Sequence, residues 1–259
     1  MPRPTKVQNS AAVSSDLPRA SVRSSASKRD LNLTLLDNPI WNTLCTEHRS
    51  LAMGNGLAKR YPADIGPLSG VAQQSVECYE HLRKLAGAGG TPGLFLEEPP
   101  VPREGWKLLR GGELSQMICM EPASPAGEPL AAVRRLTPAD VPAMVELAEL
   151  TVPGPFRERT IELGAFWGIF ESGRLLAMAG QRMHLPQFVE ISAVCTHPDA
   201  RGRGLARVLM SSVITDIQQR GKTPFLHVFA DNYPALRVYE GLGFTLRRTL
   251  HLAVLKNER

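Results

Sequence analysis

No run of apolar residues in this 259-residue sequence reaches the roughly 18 needed to cross a bilayer. The N-terminus also lacks the apolar block of a secretory signal. The expectation is a cytoplasmic protein with no membrane partner. Cysteine is scarce and dispersed: Cys45, Cys78, Cys119 and Cys195 form no CxxC pair and no Cys/His group with zinc-like spacing. They read as reduced packing residues. The six histidines include no HExxH, so no metal is expected. Acidic residues are few at the start of the chain, where Arg3, Lys6, Arg19, Arg23, Lys28 and Arg29 face only Asp16 and Asp30. Most of the formal charge of +5 therefore sits in residues 1 to 30, and the remainder is near neutral, so no nucleic-acid surface is expected on the folded part.

That tail also lacks large apolar residues and cannot offset the entropy of ordering it. It reads as a disordered basic tail, with an organellar transit peptide as the alternative. Elsewhere the composition, 43% hydrophobic and 21% charged, is ordinary for a globular protein. The loop-rich stretch EPASPAGEP (121 to 129) reads as a linker, dividing residues 31–125 from 126–259. Before it, helices are expected over NPIWNTLCTEHRSLAM and SVECYEHLRKLAG, with strand-like pieces GLFLE, GWKLLR and LSQMICM. The fold class is α/β (α+β).

After the linker the order reads β-α-α-β-β-β-α-β-α-β-β. Thr137 and Pro138 open a helix, and a hairpin turns at Glu171-Ser172-Gly173-Arg174. FVEISAVCTHP is a strand, PFLHVFA another, and FTLRRT and LHLAVLK form a closing pair.

Between the strand ending at Thr196 and the next helix lies HPDARGRGLARVL. Glycines there let successive N–H groups point one way, and a helix N-terminus adds partial positive charge, the makings of an anion site. A dinucleotide fingerprint fails because Arg207 holds the third glycine position, and the Lys-Ser/Thr of a P-loop is missing. The plain alternative is a basic glycine turn.

Arg201, Gly204 and Ala206 meet the pattern Arg/Gln-x-x-Gly-x-Gly/Ala, and about 30 residues on, Asn232, Tyr239, Gly243 and Phe244 meet a second, an Asn before a helix with a Tyr that ends in Gly-Phe. On these two motifs residues 130 to 259 resemble the GNAT superfamily of acyl-CoA-dependent N-acyltransferases, particularly its FR47-like members. The resemblance implies a mostly antiparallel sheet with splayed central strands and acetyl-CoA, or another short acyl-CoA, as co-substrate. Its acceptor would be a small-molecule or peptide primary amine. Residues 31–125 would be at most a degenerate, non-binding relative of the same fold.

Carried over by motif, Val194, Cys195 and Thr196 would offer main-chain ligands to the pantetheine arm, and the Val194 N–H would point at the thioester carbonyl. One such donor can be worth about 3 kcal/mol as charge builds on the oxygen. Arg201, Gly202, Arg203, Gly204, Leu205, Ala206 and Arg207 would hold the pyrophosphate, and Asn232 would touch the pantetheine region. Tyr239 would be the general acid for the departing thiolate, the alternative being a packing tyrosine. Glu190 lies 11 residues before Arg201, where the family's histone-acetylating branch has its general base. A carboxylate beside an apolar cleft would have a raised pKa. The alternative is an exposed strand glutamate or a substrate-orienting acid. His227, among Phe225, Leu226, Val228 and Phe229, reads as packing, and an acyl-Cys at Cys195 is rejected. Phe156, Arg157 and Glu158 are candidates to border the acceptor. The rival functions are a catalytically silent acyl-CoA-binding module and a nucleic-acid-associated protein driven by the tail.

Overall fold

A computed structural model describes residues 30–121 and 132–259; the expected disordered tail and nearly all of the expected linker lie outside the described residues. The first half supplies α1 (Pro39–Cys45), a ribbon of β1 (Ala58–Arg60) and β2 (Ser69–Val71), α2 (Val76–Ala86), β3 (Gly93–Leu96) and β4 (Trp106–Ile118). The second supplies β5 (Val133–Arg135), α3 (Val141–Thr151), β6 (Phe166–Glu171), β7 (Arg174–His184) and β8 (Phe188–Thr196). They are followed by α4 (Leu205–Gln219), β9 (Thr223–Phe229), α5 (Tyr233–Glu240) and β10 (Thr245–Asn257). Local chemistry sets many of these boundaries. Ser75 Oγ accepts the Cys78 N–H to start α2, and Gly87 (φ 71°) ends it. Ser172 (φ 49°) and Gly173 (φ 79°) make the two-residue turn between β6 and β7.

Eight strands form one sheet in the order β3-β10-β4-β9-β8-β7-β6-β5, antiparallel except at β8/β9. Two expectations are corrected here. The closing pair FTLRRT and LHLAVLK is one 13-residue strand, β10, because nothing between them is a turn former. The pieces GWKLLR and LSQMICM likewise join across Gly111 and Gly112 into β4, which inserts between β9 and β10. Strands from both sides of the expected boundary near residue 125 thus share one sheet, within the compact unit Asn32–Arg259.

The period-2 alternation of the strands separates two faces. On one, Leu209, Met210, Val213 and Ile217 of α4 pack on Ala177, Ala179, Val189, Ile191 and Leu226. On the other, Met144, Leu147 and Ala148 of α3 pack on Phe166, Leu175 and Met178. Arg182, Glu190, His227, Gln116 and Arg247, from five neighbouring strands, are linked in one polar chain. Residues of the segment 33–68 meet this chain at both ends: Leu33, Leu36 and Asp37 bond to Gln116 and Arg247, and Tyr61 and Ile65 line a cavity with Arg182.

In that covering segment His48 Nδ1 lies 2.9 Å from Tyr61 Oη, and the His48 and His184 ring centroids are 5.1 Å apart. Burial pushes both imidazoles down, to about 4 and about 3. Both are neutral in the native state and bind protons near pH 6.5 when unfolded. Their contribution to stability is complete above about pH 6.5 and falls as the pH drops toward 4, by about 1.4 kcal/mol per pH unit for each imidazole. Melting temperature should therefore fall steeply between pH 6.5 and 4.5, and a His48→Gln/His184→Gln double variant should flatten that slope. A double variant retaining the full slope would exclude this pair as its source.

Candidate active site

The site is built on a discontinuity in the sheet. β8 pairs with β7 along its length but with β9 only from Phe188↔Thr223 to Glu190↔Phe225. Beyond Glu190 the two strands separate, leaving the β9-facing edge of Ile191–Thr196 without a partner strand. The divergence coincides with a bulge: Gly180 pairs with Ser192 and Met178 with Cys195, so Ala193 and Val194 together oppose Ala179. Ala193 takes φ 51°, a left-handed conformation that costs a β-carbon residue about 1–3 kcal/mol. Unpaired strand edge at such a wedge suits an extended ligand that adds like a strand.

The glycine loop follows directly. Gly202 (φ 77°) and Gly204 (φ 75°) are both left-handed, and a Cβ on either would meet nothing within 4 Å. Their backbone conformation, not crowding, therefore demands glycine. Gly204 is the N-cap of α4, and the first helical bond back to it comes from Val208 N–H (3.2 Å). The N–H groups of Leu205, Ala206 and Arg207 are consequently left without helical acceptors. Arg203 is engaged by Glu171 (2.9 Å), and Arg207 Nη2 donates to Gly241 O (3.0 Å), tying α4 to the end of α5. Arg201 is exposed at the rim.

Asn232 Oδ1 accepts the Ala235 N–H (3.3 Å) and starts α5. Tyr239 is half-buried, edge-on to Phe244 with ring centroids 6.2 Å apart, and its hydroxyl bonds to no other described residue. Burial pushes the phenol up to about 12, so it carries its proton at neutral pH. Cys195 is buried and its thiol is pushed up to about 11, which disfavours a nucleophilic thiolate.

Glu190 departs from expectation. It is fully buried, and Arg182 donates to both its oxygens, Nε at 2.7 Å and Nη2 at 2.6 Å, while His227 Nδ1 lies 2.7 Å away. Burial alone would raise this carboxyl, but the charge and hydrogen bonds of Arg182, helped by His227, hold it down at about 2. The raised pKa expected for a general base beside an apolar cleft is therefore absent. His227 is not mere packing either. Gln116 Nε2 donates to Leu36 O (2.8 Å) and lies 3.0 Å from His227 Nε2, and Gln116 Oε1 accepts from Arg247 Nη1 (2.7 Å). Arg247 in turn reaches Asp37 (2.5 Å). With the amide nitrogen donating, His227 Nε2 accepts and its proton sits on Nδ1, facing Glu190. Sequence reasoning missed Arg182, Gln116 and Arg247. The available signal was polar residues set within otherwise apolar strands, each of which needs a partner when buried.

Of the candidates to border the acceptor, Phe156 packs edge-on to Phe166 (5.7 Å) and lines a narrow cavity with Arg182, Ser192 and Ala193. Arg157 and Glu158 are exposed and line neither this cavity nor its neighbour. The neighbouring cavity lies between Tyr61, Ile65, Leu68, Leu163 and, again, Arg182. Thr160 Oγ1 donates to Ile65 O (2.8 Å), and Arg159 pairs with Asp64 (2.9 Å), so the first half of the chain walls this side of the site. Among the described residues no cluster could hold a metal, and no helix is long and apolar enough to cross a membrane.

Comparison with known proteins fits this geometry. The family model for FR47-like proteins matches residues 166–252. A GNAT-family protein of Novosphingobium aromaticivorans is 37% identical, with 86% of this chain and 99% of that one covered at a TM-score of 0.80. The chain belongs to the GNAT family of acetyltransferases. The [ribosomal protein bS18]-alanine N-acetyltransferase of Escherichia coli K12 is 27% identical over 128 residues, 46% of this chain and 86% of that protein. The mycothiol acetyltransferase of Thermomonospora curvata is 39% identical over 74 residues, 28% of this chain; the match spans only 25% of that protein.

Proposed function

We propose that the protein is an N-acetyltransferase that moves an acetyl or other short acyl group from acyl-CoA to a primary amine by direct attack in a ternary complex. The observation that carries this reading is the wedge between β8 and β9 opening beside unbonded amides at the head of α4. The pyrophosphate sits on the N–H groups of residues 204–207, with Arg201 at its rim, and the pantetheine arm lies along Val194, Cys195 and Thr196 toward Asn232. The thioester carbonyl then meets the Val194 N–H. Tyr239 gives its proton to the departing thiolate, while the amine attacks as its free base and loses its proton to water. Glu190 positions Arg182 and is not the base. Two relatives named for acetyl transfer support the acetyl group and an amine of a small molecule or protein as acceptor.

Calorimetry with acetyl-CoA, followed by thiol release with an amine panel, tests this. Gly204→Val places a β-branched residue at φ 75°, which misdirects the amides. Acetyl-CoA should bind the wild type and bind the variant about 10- to 100-fold more weakly, as expected for losing one or two charge-assisted hydrogen bonds. Equal affinity would remove the cradle from the account. Tight binding with no turnover on any amine would favour a silent acyl-CoA-binding module.

A further inference from the structure

Resting on the acyl-transfer reading, the identity of the amine follows from one side chain. Arg182 meets Glu190 side-on through Nε and Nη2, and its Nη1 makes no hydrogen bond among the described residues. The side chain keeps 15% of its surface and borders both narrow cavities. It is also the one charged residue in either lining; the rest are apolar, small or hydroxyl-bearing. Neither lining holds a carboxylate to receive a second ammonium group, which disfavours polyamines and other polycations. A guanidinium whose outer edge is unpaired suits a carbonyl or carboxylate oxygen.

Arg182 lines the first cavity together with Ser192 and Ala193 at the bulge, where the amine must approach the thioester, so both polar ends of an acceptor would face one narrow cavity. An amine at the bulge and an oxygen at Arg182 therefore belong to one compact unit. We propose that Arg182 is a specificity-determining residue and that the acceptor is an α-amino-acyl group, an amine whose adjacent carbon carries a carbonyl or carboxylate. Glu190 is the positioning residue: it occupies the inner edge of the guanidinium and turns the outer edge to the cavity. Gln116, His227 and Arg247, fixed by Leu36 O and Asp37, hold Glu190 from behind.

The test compares L-alaninamide and L-alanine with isopropylamine, which keeps the branched carbon and lacks the oxygen, and with spermidine. Binding to the CoA-saturated protein is measured by calorimetry, and acetyl transfer to each amine in parallel. The wild type should bind alaninamide, alanine or both at least about 10-fold more tightly than isopropylamine, the size expected of one charged hydrogen bond. Alanine ahead of alaninamide marks a free carboxylate as the recognised form, and the reverse marks an amide such as a chain terminus. Arg182→Lys keeps a cation for Glu190 but has no second edge, so it should lose that preference mainly through KM, with acetyl-CoA affinity unchanged. Isopropylamine or spermidine binding as well as the amino-acyl compounds would overturn the proposal. So would a preference that survives in a folded lysine variant, and the wild-type comparison decides alone if that variant melts. Selective binding without acetylation of any amine would reject the acyl-transfer reading while leaving the subsite standing.

Discussion

Glu190→Ala is expected to lower the melting temperature by about 10 °C. The substitution leaves the largely buried Arg182 guanidinium without its counter-ion and the His227 Nδ1–H without its acceptor. Breaking a buried pair from one side costs about 3–5 kcal/mol, and each kcal/mol moves the midpoint of a domain this size by about 2–4 °C. Glu190→Gln, which keeps shape and one acceptor oxygen, should cost less. Activity separates positioning from base catalysis. With its carboxyl held at about 2, Glu190 is ionised throughout pH 5–9, so no limb of the kcat profile in that range belongs to it. The Gln variant should raise KM for the amine more than it lowers kcat. An unchanged melting temperature together with a loss of about 100-fold in kcat and of an acidic limb would restore the general-base assignment.

The same carboxyl marks where sequence reasoning reaches and where it stops. Local signals placed the second half well: Pro138 and Thr137 ahead of α3, the Ser172-Gly173 turn, the glycines ahead of α4, and Asn232 as the cap of α5. Each depends on residues within one turn of the position it fixes. The insertion of β4 between β9 and β10 depends on which strand edges meet across more than 100 residues, and the periodicity of β4 does not say which partner it chooses. Glu190 fails for the same reason. Its neighbours in sequence, Val189 and Ile191, place it in a buried strand and suggest a desolvated, high-pKa acid. Its partners Arg182 and His227 come from two other strands, and their charge and hydrogen bonds reverse the sign of the shift. The turns and caps around the glycine loop and α5 were legible from short motifs, whereas the two cavities beside Arg182, assembled from residues 61–68, 153–160 and three strands, were not.

Tyr239→Phe should reduce kcat by about 100-fold or more while leaving acetyl-CoA affinity and the melting temperature nearly unchanged. Proton transfer from a positioned side chain contributes about 10²–10⁴-fold, and the Tyr239 hydroxyl makes no hydrogen bond among the described residues whose loss would alter the fold. The ring keeps its edge-on packing against Phe244 as phenylalanine. Because burial pushes the phenol up to about 12, the acid is present across the neutral range, and its deprotonation should appear only as a falling limb at strongly alkaline pH. The defect should also depend on the leaving group. A thioester with a more acidic thiol needs less protonation on departure, so an aryl thioester of the same acyl group should react with the Phe variant much more nearly at the wild-type rate. A deficit of equal size for both thioesters would place Tyr239 among the residues that shape the wedge and would assign the leaving group's proton to water.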